Sequence, residues 1–143
     1  MNSFSHAKGF RPLAALLVGA TLFSTAASAA DVKVSLHGSE EVPAVTTAAL
    51  GSGTLKIADD RTVSGIVTTK GIEGTVAHIH LAAKGKNGPP IITLTKTADG
   101  EWSVPAGSKL TEEQYASFKA GDLYVNVHSA ANKSGEIRGQ LNP

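Results

Sequence analysis

The chain has 143 residues, of which 41% are hydrophobic, 17% charged and 5% aromatic, with a formal net charge of +1 and no cysteine. That length suits one small domain. The near-neutral charge and few aromatics argue against a nucleic-acid surface, and the lack of cysteine excludes disulfides and thiolate metal sites.

Residues 1–29 read as a cleavable secretory signal. Lys8 and Arg11 give a basic start, Leu13 to Phe23 an apolar run, and Ala27-Ser28-Ala29 a small-x-small cleavage site. The apolar run is shorter than the roughly 20 residues a transmembrane helix needs. Without Lys8 and Arg11 the 13 basic residues become 11, against 12 acidic ones. Residues 30–143 are therefore expected to be a single exported domain, periplasmic or secreted, with no membrane contact after cleavage.

Most later segments alternate like strands. Val32, Val34 and Leu36 alternate with Lys33, Ser35 and His37. Residues 50–58 and 62–69 flank Asp59-Asp60 as a hairpin. Residues 75–81 form the next strand, with Ala77, Ile79 and Leu81 on one face and Val76, His78 and His80 on the other. Lys84 to Pro90 is a loop by composition. Residues 91–97 and 101–104 are strands around the turn Ala98-Asp99-Gly100. A short helix is predicted over about 112–120, capped by Thr111 with Gln114 as its partner and stopped by Gly121. Leu123, Val125 and Val127 then alternate with Tyr124, Asn126 and His128, and Ile137, Gly139 and Leu141 with Glu136, Arg138 and Gln140. The expected fold is all-β, a Greek-key β-sandwich or flattened barrel of about seven to nine antiparallel strands with one short helix.

If the apolar faces build the core, then His78, His80, His128, Glu136 and Arg138 share the opposite side, against solvent or beneath a covering loop. Side chains at i and i+2 of a strand share a face, so His78 and His80 can converge with His128 from a neighbouring strand. Three imidazoles suit copper or zinc; the alternative is a set of surface histidines bonded to loops. His37 also faces outward, as a fourth ligand or a solvated strand end. Glu41 is either a partner that orients a ligating histidine or a solvated loop carboxylate. Arg138 is a surface partner of Glu136 or an anion guide beside a metal. No nucleophile elbow or phosphate loop is present.

Leu36 to Pro43, Ala77-His78-Ile79-His80, Asn87-Gly88-Pro89, Leu123 to Ser129 and Gly135 to Leu141 together resemble the CHRD domain, named from chordin and widespread in exported bacterial proteins. The resemblance spans nearly all of residues 30–143 and implies an all-β domain. In chordin these domains belong to a secreted protein that binds growth factors. More distantly, His78-x-His80, then His128, then Gly-Glu-Ile-Arg138-Gly resembles the order of the copper ligands and active-site arginine in copper/zinc superoxide dismutases. That resemblance implies copper on His78, His80 and His128, and Arg138 steering superoxide. The bridging histidine, the zinc loop and the disulfide of that family are missing. The function expected is transition-metal binding, copper before zinc, with a dismutase-like or copper-handling role. The alternative is a non-catalytic protein-interaction module without metal.

Overall fold

Alternation decides the first strand. In β1 (Ala29–His37), Val32, Val34 and Leu36 are buried while Lys33, Ser35 and His37 are exposed. The computed structural model describes Met1 and residues 28–143. Residues 2–27, which hold almost all of the expected signal segment, lie outside the described residues.

β1 pairs antiparallel along its whole length with β2 (Leu50–Ala58), which pairs with β3 (Val63–Lys70). The chain then crosses to β4 (Gly74–Leu81) and passes through β5 (Pro90–Thr93), β6 (Thr95–Ala98) and β7 (Glu101–Ser103). After α1 (Glu112–Lys119) come β8 (Leu123–Ser129) and β9 (Ile137–Leu141). The sheet order is β5-β4-β8-β9-β1-β2-β3-β7-β6. The two edges belong to one continuous segment. Leu94, between β5 and β6, donates its N–H to the Ala77 carbonyl at 2.9 Å, so the sheet nearly closes into a barrel. The expected all-β flattened barrel with one helix is what the described residues form.

The expected single strand over 91–97 is instead split. Leu94 is buried in the core, and at that point the chain changes partner from β4 to β7. One apolar side chain turning inward thus converts a strand into the seam of the barrel. The helix follows its sequence signals closely. The Gln114 N–H donates to Thr111 Oγ1 at 3.2 Å and the Thr111 N–H to Gln114 Oε1 at 2.9 Å, a reciprocal cap. Gly121, at φ +80°, ends it with the Asp122 and Gly121 N–H groups bonded to the Ser117 and Phe118 carbonyls. Leu110 and Phe118 bury themselves in the core and hold this short helix down.

Inside the barrel, Leu36, Leu55, Val67, Ile79, Val125, Ile137 and Leu141 are among the residues with almost no exposed surface, and Trp102 joins them. Each such side chain contributes about 1.5–3 kcal/mol by burial. Leu81, expected on this apolar face, is only half-buried.

The outer face of β4, β8 and β9 differs from that of β1, β2 and β3. All seven residues of β8 are buried, including Tyr124, Asn126 and His128, which point away from the core. Three loops cover them, residues 41–49, 82–89 and 130–136. Asn87 Nδ2 of the second loop donates to the Val42 carbonyl of the first at 2.8 Å. Thr47 Oγ1 of the first donates to Glu136 of the third at 2.7 Å. The covering-loop arrangement is therefore the one realised, and this half of the sheet has polar side chains sealed between two layers.

Candidate metal centre

The register brings the histidines together. β4 and β8 are hydrogen-bonded neighbours, with Val76 opposite His128, His78 opposite Asn126 and His80 opposite Tyr124. On their shared outer face His78, His80 and His128 each present a ring nitrogen, and these three atoms all lie within 4.8 Å of one another. His78 Nδ1 and His128 Nε2 are 3.1 Å apart. His80 and His128 are buried, and His78 is half-buried.

Two of the three rings have fixed tautomers. His80 Nδ1 lies 2.8 Å from the Gly88 carbonyl oxygen, and His128 Nδ1 lies 2.8 Å from that of Lys133. A carbonyl only accepts, so each Nδ1 carries the proton and donates. Each Nε2 is then left with a lone pair facing the cluster. This is the arrangement that metal-ligating histidines adopt, with the far nitrogen anchored to a carbonyl. His80 Nε2 is buried and has no hydrogen-bond partner among the described residues.

Burial favours the neutral form of His78 and His80. Burial, and then the neighbouring His128 and His80, push the His78 pKa below its usual 6.5. Burial does the same for His80, against the opposing pull of its bond to Gly88. Neutral imidazole is the ligating form.

A ring stack supports the cluster. Tyr124 stacks on His80 with centroids 4.7 Å apart and planes within 6°. The Arg138 guanidinium lies over the Tyr124 ring, 3.4 Å from its centroid. Tyr124 Oη accepts from the Gly88 N–H at 3.3 Å. Arg138 also reaches the loop, with Nη1 donating to Asn87 Oδ1 at 3.1 Å and Nη2 to the Lys86 carbonyl at 2.5 Å. The loop that supplies the Gly88 carbonyl to His80 is therefore clamped by Tyr124, Arg138 and Asn87.

This chain belongs to the CHRD domain family. The family model matches residues 32–141, which takes in all of the sheet but the first three residues of β1, and the whole histidine cluster. No curated protein and no solved structure matches the chain.

Within this CHRD domain the other expected site residues have definite positions. His37 is exposed, pairs across the β1–β9 ladder with Arg138, and stands apart from the three-histidine cluster. Glu41 is buried rather than solvated. Its Oε1 accepts from Asn126 Nδ2 at 3.4 Å, while the anchored ring nitrogens of His80 and His128 bond main-chain carbonyls instead. Burial raises the Glu41 pKa, opposed by the Arg138 charge and by the Asn126 bond. The expected surface pair of Arg138 with Glu136 does not form. Arg138 is 1% exposed and bonded to the loop. Glu136 takes hydrogen bonds from Ser129 and Thr47, which hold its carboxyl below the usual range. Tyr124, Asn126 and Asn87 are contributors that the sequence reading does not single out. Tyr124 and Asn126 alternate with Leu123, Val125 and Val127, so the pattern that places His128 on this face places them there as well. Asn87 acts through a loop contact between distant segments, which periodicity does not encode.

Proposed function

We propose that this CHRD-domain protein is exported and binds a transition metal, copper in preference to zinc, through His78 Nδ1, His80 Nε2 and His128 Nε2. It would serve copper handling or a superoxide dismutase-like reaction. The observation that carries the reading is the orphaned His80 Nε2. A buried lone pair without a partner costs about 1–3 kcal/mol, and here it faces two other ring nitrogens within 4.8 Å. A cation shared by all three removes that cost. Imidazole nitrogens suit both copper and zinc, and the general affinity order of divalent ions favours copper(II). With no cysteine in the chain and no carboxylate in the cluster, selection rests on the three nitrogens.

Copper, when bound, would supply one-electron chemistry. The chain's own part is to hold three neutral imidazoles in place and to exclude water around His80 and His128. Arg138, which the dismutase resemblance assigns to anion steering, is buried behind Tyr124 and first of all latches the loop.

The test is equilibrium loading with copper(II), removal of loose metal and metal analysis. Retention of about one equivalent, lost in His80→Ala, is expected of a dedicated site. A wild-type protein that washes free of copper would sink the proposal. A superoxide assay on the loaded protein then separates enzyme from carrier. The second reading, an interaction module without metal, draws on the outer face of β1, β2 and β3, where Leu50 and Ile66 are 52% and 47% exposed. Failure to retain metal would favour it.

A further inference from the structure

The three-nitrogen cluster lacks an oxygen donor, and one side chain beside it has an oxygen with nothing to bond. Asn126 Oδ1 is buried without a partner among the described residues, as is His80 Nε2. Buried amide oxygens are paired in all but a few cases, and an exception calls for an explanation. Asn126 lies on β8 between Tyr124 and His128, on the face they share, and directly opposite His78 in the ladder. His80, two residues along β4 on the same face, is its diagonal neighbour. A neutral His80 with its proton on Nδ1 offers only a lone pair at Nε2. Two buried acceptors without a partner among the described residues thus stand on one face of adjacent strands, and a cation would satisfy both.

Glu41 fixes which end of the amide points there. An ionised carboxylate only accepts, so Asn126 must turn its Nδ2 toward Glu41 Oε1, at 3.4 Å, and its Oδ1 away. Gly135 closes over this pair. At φ +129° it occupies a conformation reserved for glycine, and a Cβ there would run into both Glu41 Oε1 and Asn126 Nδ2. The amide is held on one side by a charge and on another by main chain. Leucine, branched in the same way, would carry no orphaned oxygen, and the chain has asparagine.

We infer that Asn126 Oδ1, aimed by the Glu41 carboxylate, is the oxygen donor that completes the cluster of His78, His80 and His128. The inference rests on the metal-binding reading and adds a fourth donor and a residue that orients it. Glu41 is then a positioning residue for Asn126, not for a histidine.

The experiment measures copper(II) affinity by chelator competition and records the electron paramagnetic resonance spectrum of the loaded full-length protein. Asn126→Leu removes the oxygen and keeps the branching of the side chain. It should weaken copper by about tenfold or more and move the spectrum toward a more nitrogen-dominated site. The double variant Glu41→Gln with Asn126→Asp exchanges carboxylate and amide. The amide introduced on the loop would donate to one oxygen of the carboxylate introduced on β8 and leave the other oxygen facing the cluster. Affinity and an oxygen-containing spectrum should then return. Far-UV circular dichroism establishes that each variant is folded, and if Asn126→Leu is not, the double variant decides. An Asn126→Leu protein with unchanged affinity and spectrum, in a background where His80→Ala loses the metal, would overturn this inference alone. So would a folded double variant that binds as weakly as Asn126→Leu. A wild-type protein that retains no copper would overturn the metal reading and this inference with it.

Discussion

Gly135 shows how little room the outer face leaves for change. Its positive φ and its closeness to Glu41 and Asn126 mean that a methyl group meets strain and a clash together. Strain at such a position costs on the order of 1–3 kcal/mol, and the displaced Glu41–Asn126 bond adds to it. Gly135→Ala is therefore expected to destabilise the metal-free protein by about 2 kcal/mol or more, read as a lower urea midpoint with an unchanged slope. A change confined to a surface turn would instead stay within about 0.5 kcal/mol, and that result would remove the packing argument. The same scale explains why His80 and His128 are fit to ligate. Each spends its Nδ1–H on a main-chain carbonyl, so the lone pair at Nε2 is set by the chain and not by chance rotation. The histidines themselves are legible in the sequence because period-two alternation puts His78 and His80 on one face and leaves His128 opposite the core. Their tautomers are not, because Gly88 and Lys133 contribute carbonyls whose direction depends on loop folding.

Loops carry the next level of organisation. The 82–89 loop is tied to the sheet by Arg138, by Tyr124 Oη and by the His80 Nδ1–H, and to the 41–49 loop by Asn87. Arg138 makes two loop bonds with separate guanidinium nitrogens and lies over the Tyr124 ring. Lysine would keep the charge but neither the fork nor the flat face. If the latch is what matters, Arg138→Lys weakens copper binding by about tenfold through a loosened Gly88 carbonyl. If charge alone matters, Arg138→Lys binds copper and reacts with superoxide like wild type; affinity and superoxide rate measured on one sample tell the two apart. A control lies on the opposite side of the fold logic. Thr111→Ala removes the helix cap and should cost about 1 kcal/mol while leaving copper affinity unchanged. That helix can be placed from sequence to within a residue, because Thr111, Gln114 and Gly121 are local signals acting over a single turn. The split at Leu94 cannot, because β5 and β6 are distinguished only by which distant strand each one meets. Glu41 departs for the same reason from the solvated carboxylate that its local sequence suggests: its burial comes from Asn126 and Gly135, 85 and more residues away.

At the scale of the whole molecule, the metal-binding proposal makes protons and metal competitors for one folded state. Folding lowers the pKa of His78 and His80 below 6.5, chiefly by burial. Below about 6.5 the unfolded chain then binds more protons than the folded one, so stability rises with pH through that window. The metal-free protein should hold its full stability above pH 6.5 and lose it progressively as the pH falls below that value. Glu41 acts in the opposite sense. Its pKa is raised above 4.5, so its contribution is present below 4.5 and is lost as pH rises through the folded value. Between about pH 4.5 and 6.5 the acid limb is therefore shallower than the histidines alone would make it, and Glu41→Gln should steepen it there. On the proposed function, copper would bind only the neutral rings and so would add stability where protons are absent. At a free concentration 100 times the dissociation constant the gain is about 2.7 kcal/mol. Urea titrations at pH 7.5 with copper should show that increment, and titrations well below pH 6.5 should show it shrinking as protons reclaim the imidazoles. In His80→Ala the copper increment should vanish at every pH, and part of the pH slope should go with it. A copper increment that survives in His80→Ala would place the bound ion elsewhere, whereas loss of both effects in one variant would make the buried cluster the common cause.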